Sequence, residues 1–581
     1  MMYRYLLPIL CCVAGLRLHA QIQFAKHGDL LTPAKHYSGV AIAVLDMNGD
    51  GRDDIARMDQ GFNLAVEYQT GPGEPFQHRP VDTLTQGSQW GICAGDLDNN
   101  GFPDVLTAGY RDGVKVVQAT EDGTDFNVTF LDVPQTFAQC VNMADINNDG
   151  RLDAFVCNDE GLSRIFINDG VGNLLYTPAQ IDLTTTPASD GSGSYGSVWS
   201  DVDNDGDPDL YIARCKHGVD DPGDGRRINQ LFWNNGNGTF TQDLTNISGL
   251  RIGAQSWTAD FGDIDNDGDF DCLVTNHDVS SQLLENDGAG HFTDISASSG
   301  VLNTITGLTA QGIFRDFDND GFVDILVAGS AHFLLRNSGN KTFSAVPILD
   351  SLPMESFAVG DLNSDGFQDI YAGYAEIFND PSTIPDALWL NAGNDNHFFG
   401  LNLRGVQSNR SGVGAKVLLY SDLGIQMREV RSGESYGIMN SMQIHFGLGQ
   451  LNRIDSVIIR WPSGRTDKLY EPALNEYRAL QEGMTGTPVA EVATDEHSVA
   501  VFPNPAADRI NVDWQNFPGG ELLLEIKNAQ GAAVQSRYFE AAAGPLQIPV
   551  LLTDIPAGVY WITLITPETW ICKKIVVSHG G

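Results

Sequence analysis

Apolar runs and acidic turns alternate through the first two thirds of this chain. Val40-Ala41-Ile42-Ala43-Val44-Leu45 ends at a turn opened by Asp46, and Asp324-Ile325-Leu326-Val327-Ala328 leaves a turn opened by Asp316. Runs this short, rich in β-branched residues and bounded by Asp, Asn and Gly, predict strands rather than helices. The turn has one spelling, D-x-D/N-x-D/N-G-x-x-D. It occurs seven times, starting at Asp46, Asp96, Asp145, Asp201, Asp263, Asp316 and Asp361, at intervals of 50, 49, 56, 62, 53 and 45 residues. A second turn recurs behind the first. Its clearest copies begin at Asn234, Asn286 and Asn337 and end on Phe240, Phe292 and Phe343, with degenerate copies at Asn168 and Asn391. Each is a Gly-rich hairpin turn with an aromatic on the far strand, so one repeat holds about four short strands. Such units hide their sheet edges by closing in a circle. The predicted fold is therefore all-β: a seven-bladed β-propeller over residues 21–395, followed by two smaller β-domains.

The acidic turn carries chemistry as well as geometry. Its first, third, fifth and ninth positions all bear side-chain oxygens. In chain order these are Asp46, Asn48, Asp50 and Asp54; Asp96, Asp98, Asn100 and Asp104; Asp145, Asn147, Asp149 and Asp153; and Asp201, Asp203, Asp205 and Asp209. The last three sets are Asp263, Asp265, Asp267 and Asp271; Asp316, Asp318, Asp320 and Asp324; and Asp361, Asn363, Asp365 and Asp369. A curled loop aims such alternating residues inward, and calcium takes about six to eight oxygens from carboxylates, amides and carbonyls. A glycine at the sixth position, Gly206 in the fourth loop, permits the sharp turn. The pattern resembles the start of an EF-hand loop, without flanking helices and without Glu at the twelfth position. Magnesium suits it less, since that ion demands a stricter octahedron and keeps its waters. Up to seven calcium ions are expected, held most weakly where acids are fewest, as in the second and seventh loops.

Charge agrees with that reading. Asp and Glu number 75 against 34 Lys and Arg, a net charge of −41, and the seven loops hold 27 of those acids. Such a balance excludes nucleic acid as a partner, because binding it needs a basic footprint. Seven divalent ions would relieve the repulsion where it is densest.

The ends of the chain carry addresses. Residues 1–20 combine Arg4, an apolar run from Leu6 to Gly15 and a small residue at Ala20, which predicts a secretory signal peptide. No later stretch approaches the ~20 apolar residues of a membrane span, so no transmembrane segment is expected after signal removal. Six cysteines then remain, irregularly spaced and without a Cys-x-x-Cys pair, which favours buried thiols. The acidic turns stop near His397. Alternating β-branched residues and Gly-rich turns predict a small β-domain over 396–482, a linker over 483–498 and a β-sandwich over 499–581.

The repeats resemble FG-GAP/VCBS repeats, the units of the integrin α-subunit propeller. That resemblance implies calcium on the loops of one face and a ligand surface on another. Asn409-Arg410-Ser411-Gly412-Val413-Gly414-Ala415-Lys416-Val417, then Phe446-Gly447-Leu448-Gly449 and Trp461-Pro462-Ser463-Gly464, resemble the ASPIC/UnbV domain. That family supplies no catalytic residues to carry over. Phe502-Pro503-Asn504-Pro505, Gly558-Val559-Tyr560 and the Lys-rich last strand resemble the C-terminal sorting domain of the Bacteroidetes type IX secretion system, as an Ig-like β-sandwich. The resemblance implies passage through that secretion machinery and a secreted or surface-attached, extracellular protein.

Catalytic patterns are weak. Gly433-Glu434-Ser435-Tyr436-Gly437 has the spelling of a nucleophile elbow, with His445 nearby, but β-type residues flank it where a strand and a helix are required. The G-x-G-x-x-G match from Gly191 to Gly196 runs into an acidic turn rather than a helix. No His-Glu-x-x-His occurs, and no catalytic residue is assigned. The expected function is a calcium-binding, non-catalytic adhesion or recognition module for a glycan or an extracellular protein. One alternative is a polysaccharide-active lyase or hydrolase using the propeller's central cleft, and another is a structural part of a surface assembly. Trp90, Trp199 and Trp257 precede acidic turns and are expected in the core, although exposure on one face would favour glycan binding. The insert from Lys216 to Arg227 is a candidate partner surface, weighed against a plain solvated loop.

Overall fold

The computed structural model describes residues 22–484 and 499–578, less scattered positions (33–34, 121–122, 124, 190, 302–303, 306, 348, 351, 377–379, 505, 508, 518, 528–532, 554 and 566–569). The expected signal peptide and residues 485–498 of the expected linker lie outside them. The chain divides into two compact units at residues 485/486. It is all-β. Helical turns among the described residues include Gly28–Leu30 and Ser296–Ser299.

Seven antiparallel sheets of four repeat strands follow one another in the first unit, the first six running from inner strand to outer in chain order. Their inner strands are Ser38–Leu45, Gln89–Gly95, Ala138–Ala144, Ser194–Ser200, Ser256–Gly262, Thr309–Arg315 and Ser356–Gly360. The first six inner strands pack side by side in succession, the seventh meets the sixth sheet at Asp324–Gly329 and through the Gln311 side chain, and it returns to the first. The circuit is tied at its ends. Phe24–Lys26, from the start of the described chain, is the outer strand of the seventh sheet, with Phe24 opposite Asn391. Closure therefore uses main-chain hydrogen bonds between segments far apart in sequence.

Each acidic turn joins the inner strand of its sheet to the next, so all seven loops lie at the same end of their sheets. Their second residues, Met47, Leu97, Ile146, Val202, Ile264, Phe317 and Leu362, are all buried. That apolar anchor explains why an otherwise polar loop keeps one fixed shape. The asparagines that open the second recurring turn act as ties between sheets. Asn286 Nδ2 donates to the carbonyls of Val202 and Phe270, Asn337 to those of Ile264 and Val323, and Asn391 to those of Phe317 and Gln368. Asn168, whose turn is degenerate in sequence, does the same with Leu97 and Leu152.

The rest of the first unit forms two further sheets. One orders Gly424–Glu429, Lys416–Ser421, Ser456–Arg460 and Thr466–Tyr470, and the other places His397–Arg404 between Ile444–Gly449 and Tyr477–Gln481. Their apolar residues join those of the first three repeat sheets in one core, as Val417, Phe446 and Trp461 do with Met47, Leu97 and Met143. The second unit pairs a three-stranded sheet with a four-stranded one around its own core, which includes Ile510, Trp514, Leu524, Ile562 and Ile575. Cys93, Cys140, Cys157, Cys215 and Cys272 are buried free thiols, as the sequence favoured.

Candidate functional site

The seven acidic turns repeat one hydrogen-bond scheme. In six of them the opening aspartate accepts the N–H of the sixth-position glycine, at 2.7 Å for Asp46 and Gly51 and 2.8 Å for Asp96 and Gly101. The fifth loop departs from it, since Asp263 accepts from Asn266 N–H instead and from the Met427 N–H outside the repeat. The ninth-position aspartate is a strap in all seven. One oxygen accepts the N–H of the loop's second residue and the other accepts an N–H of the sheet's third strand or the residue just beyond it. Asp54 takes Met47 and Gln69, Asp271 takes Ile264 and Asn286, and Asp369 takes Leu362 and Asn391. Sequence spacing assigned this residue to an ion alone. Its main-chain role as a clamp between strands was not visible there.

Several loops bring their carboxylates together. Ligand atoms of Asp96, Asp98 and Asp104 lie within 4.8 Å of one another, as do those of Asp201, Asp203 and Asp209; Asp263, Asp265 and Asp267; and Asp316, Asp318 and Asp320. Asp96 Oδ1, Asp201 Oδ1, Asp265 Oδ1 and Asp269 Oδ1 are buried without a hydrogen-bond partner. A buried carboxylate oxygen in that state is costly unless a cation meets it. Burial accordingly pushes the acids up. Asp54, Asp104 and Asp263 reach about 8, with main-chain N–H groups pulling the other way in the first two and Arg428 in the third. Crowded carboxylates and orphaned oxygens fit a hard divalent cation. In the first, third and seventh loops, Asp46, Asn48 and Asp50, Asp145, Asn147 and Asp149, and Asp361, Asn363 and Asp365 form the same curl, with an amide at the third position.

Side chains from outside the repeat reach the same loops. Lys416 Nζ binds Asp201 and the Asn204 side chain, and Arg410 Nε lies 3.2 Å from Asp96 Oδ2. Both belong to the motif that opens the post-repeat domain. Within the repeats, Arg336 bridges Asp318 and Asp320, and Lys341 bridges Asp265 and Glu285. Residues 398–447 thus cover the acidic-loop end of the ring.

Residues 430–441 go further and fill its centre. Ile438 and Met439 pair in parallel with Ile42 and Ala43 of the first inner strand, and Ser432 bridges to Met143 of the third. Asn142 Nδ2 donates to the Gly433 carbonyl at 2.9 Å, Gln311 Nε2 to the Tyr436 carbonyl at 2.6 Å, and Tyr436 Oη to Gln139 Oε1 at 2.7 Å. Gly437, at φ +71°, lies so close to the Trp90 carbonyl that a Cβ would stand 2.2 Å from it. The charges within the ring are matched. Glu434 meets Arg315, Arg431 and Asn440, while Arg431 Nη1 lies 2.8 Å from Asp260 Oδ1. Burial works to raise Glu434, yet Arg315 and Arg431 outweigh it and hold the group below its usual range.

The central cleft needed for lyase or hydrolase chemistry is occupied by the chain's own residues. Ser435 of the elbow-like pattern is fully buried, and its Oγ accepts the Gly312 N–H at 3.1 Å. His445 instead sits between Asn319 Oδ1 and Tyr477 Oη, with burial first and then Arg428 and Arg315 lowering it to about 3.

The opposite end of the ring is furnished differently. Trp199 and Trp257 are buried, whereas Trp90 is half-buried. Phe137 stacks edge-on against both Trp90 and Tyr110, at 4.8 Å each, and Tyr110 is 51% exposed. All three lie at strand ends remote from the acidic turns. The insert from Lys216 to Arg227 leaves its sheet at that same end. Its cations are paired: Lys216 with Asp159, Arg226 with Asp224 and Arg227 with Asp278.

Comparison with known proteins assigns three segments in order. The FG-GAP-like repeat profile matches residues 46–107, 145–212, 201–274, 263–327 and 316–372; ASPIC and UnbV matches 405–486; and the secretion system C-terminal sorting domain matches 500–578. The chain is similar to cartilage acidic protein 1 of Mus musculus, 23% identical over 496 residues that cover 74% of this chain and 71% of the relative. The Homo sapiens protein of that name is 28% identical over 266 residues, covering 41% and 37%. Among solved structures, the WD40 domain of SCAP from fission yeast overlays with a TM-score of 0.32 at 9% identity, covering 72% of this chain and 98% of that one, too low a score to bear on the fold.

Proposed function

Because this chain belongs to the FG-GAP-repeat proteins that carry an ASPIC/UnbV domain and end in a secretion-system sorting domain, we propose that it is an exported recognition module without catalytic activity. The sorting domain implies secretion or display at the cell surface, and among the described residues no helix is long and apolar enough to cross a membrane. In this reading the seven sheets are the blades of a closed propeller. The seven acidic turns hold calcium, and the secretion machinery reads the terminal domain, an Ig-like sandwich. The ion is structural: it would satisfy the orphaned carboxylate oxygens and fix the loops on which Lys416 and Arg410 dock.

The ligand belongs on the end that the ASPIC/UnbV domain leaves open. Its half-exposed aromatic group, Trp90, Tyr110 and Phe137, carries this proposal. Such rings offer flat apolar faces with polar edges, the chemistry of a sugar-binding platform. Glycan is therefore the favoured ligand class. The test is a glycan and matrix-protein array probed with the chain lacking residues 499–581, in calcium. A glycan signal reduced about tenfold or more by Tyr110→Ala in a normally melting variant is the expected outcome. Signal confined to protein spots would replace glycan with a protein ligand. Glycan binding that ignores Tyr110→Ala and Trp90→Ala would sink the site.

A further inference from the structure

A second cluster of ligating side chains lies outside the acidic turns, where the first and seventh sheets meet. His36 precedes the first inner strand, Glu67 lies in Asn63–Tyr68 and His78 in Gln77–Thr83, where it faces Glu67 across the strand pair. One ligand atom from each of the three lies within 4.8 Å of the other two. We propose that His36, Glu67 and His78 form a site for a zinc-class divalent ion, separate from the acidic loops and different in kind.

The donor set decides the class of ion. Two imidazoles and one carboxylate suit zinc and its first-row neighbours, whereas calcium takes oxygen ligands. The distances suit a single small ion. His36 Nε2 is 3.6 Å and His78 Nδ1 2.9 Å from Glu67 Oε1, so both imidazoles stand at the Glu67 carboxylate, within reach of one zinc whose ligands bind at about 2.0–2.2 Å.

Surrounding residues orient these ligands. Tyr371 Oη donates to Asp386 Oδ2 at 2.9 Å and so presents its lone pair to His36 Nδ1, 3.1 Å away. That contact fixes the proton on Nδ1 and leaves Nε2 as a lone-pair donor on the side of Glu67. An outer hydroxyl and carboxylate behind a metal-binding histidine are the usual means of setting its tautomer. Arg57 engages Glu67 Oε1 through Nε at 2.9 Å and is itself held by Asp59. Glu67 Oε2 is buried without a hydrogen bond and is the carboxylate's open oxygen. Glu67, Asp59 and Asp386 against Arg57 leave two net negative charges, which a divalent ion would counter. His78 is the entry side. It is partly exposed and lines a surface hollow with Asp59, Asn63 and Asp82, so water or an exchangeable ligand can complete the shell.

The test uses the untagged chain, stripped with chelator and then saturated with calcium so that the acidic loops are occupied. Titration with zinc alone, followed by elemental analysis, is expected to give one zinc per chain, and cobalt in its place should give the visible spectrum of a nitrogen-ligated ion. His78→Gln keeps a donor for Glu67 but offers the metal no imidazole. It should weaken zinc binding by at least about tenfold, and Tyr371→Phe by about tenfold through loss of orientation. Both variants are compared by melting without zinc; if Tyr371→Phe unfolds, His78→Gln carries the test alone. No zinc uptake under calcium, or uptake unchanged by His78→Gln, overturns the proposal.

Discussion

Lys416 illustrates how much one side chain decides here. In sequence it is a lysine before a valine in a small β-domain; in the fold it is buried, with its ammonium against Asp201 and Asn204 of the fourth acidic turn. Removing one partner of a buried ion pair leaves the other charge without compensation, at a cost of about 3–5 kcal/mol. Lys416→Met should therefore destabilise the metal-free first unit by about 3 kcal/mol, read as a lower denaturant midpoint in chelator. Calcium should restore part of the loss, since an ion on Asp201 replaces the missing charge. A midpoint equal to that of the unaltered chain would show that water, rather than Lys416, balances this aspartate.

Among the elements, the segment at 430–441 matters most, because no regular strand or helix accounts for its position. Its two residues of β-pairing are supplemented by side chains from several inner strands, and Tyr436 at its tip packs against Trp257 and Tyr195 at 5.1 and 6.2 Å between ring centroids. Truncating a buried aromatic costs about 3–5 kcal/mol. Tyr436→Ala should bring a loss of that size and should loosen the ring as well as the segment. Hydrogen exchange is the direct measurement: inner strands such as Ala138–Ala144 and Thr309–Arg315 should lose protection together. Loosening confined to residues 430–441 would mean that the ring closes without its plug.

At the scale of the whole molecule, the distribution of acid controls stability. Burial raises Asp54, Asp104 and Asp263 to about 8, so the metal-free fold favours their neutral forms. A carboxyl whose folded pKa exceeds its unfolded value gives stability that is complete below about pH 4 and lost as pH rises through about 8. In chelator the melting temperature of the first unit should thus fall from pH 5 to pH 8. Calcium binds the charged form and should flatten or reverse that slope, while raising the melting temperature at pH 8. With free calcium at ten times a site's Kd, that site adds about 1.4 kcal/mol. A melt in calcium identical to that in chelator at pH 8 would count against structural ions.

The sequence by itself determined the repeat, the strands around each acidic turn, the order of the three recognised segments and the carboxylates that crowd together. These follow from local rules: spacing along a turn, β-branched runs and glycine where the chain must bend. The position before an acidic turn led to the burial of Trp199 and Trp257 but not of Trp90, which shares it and is half-buried. Only the tertiary structure decided that the ASPIC/UnbV domain caps the acidic loops, that its elbow-like segment fills the ring, and that the recurring asparagines tie neighbouring sheets. The same holds for His36, Glu67 and His78, whose spacing of 31 and 11 residues has no motif. Each of these depends on contacts between residues remote in sequence, and no local pattern of hydrophobic and polar positions records which distant surface a segment will meet.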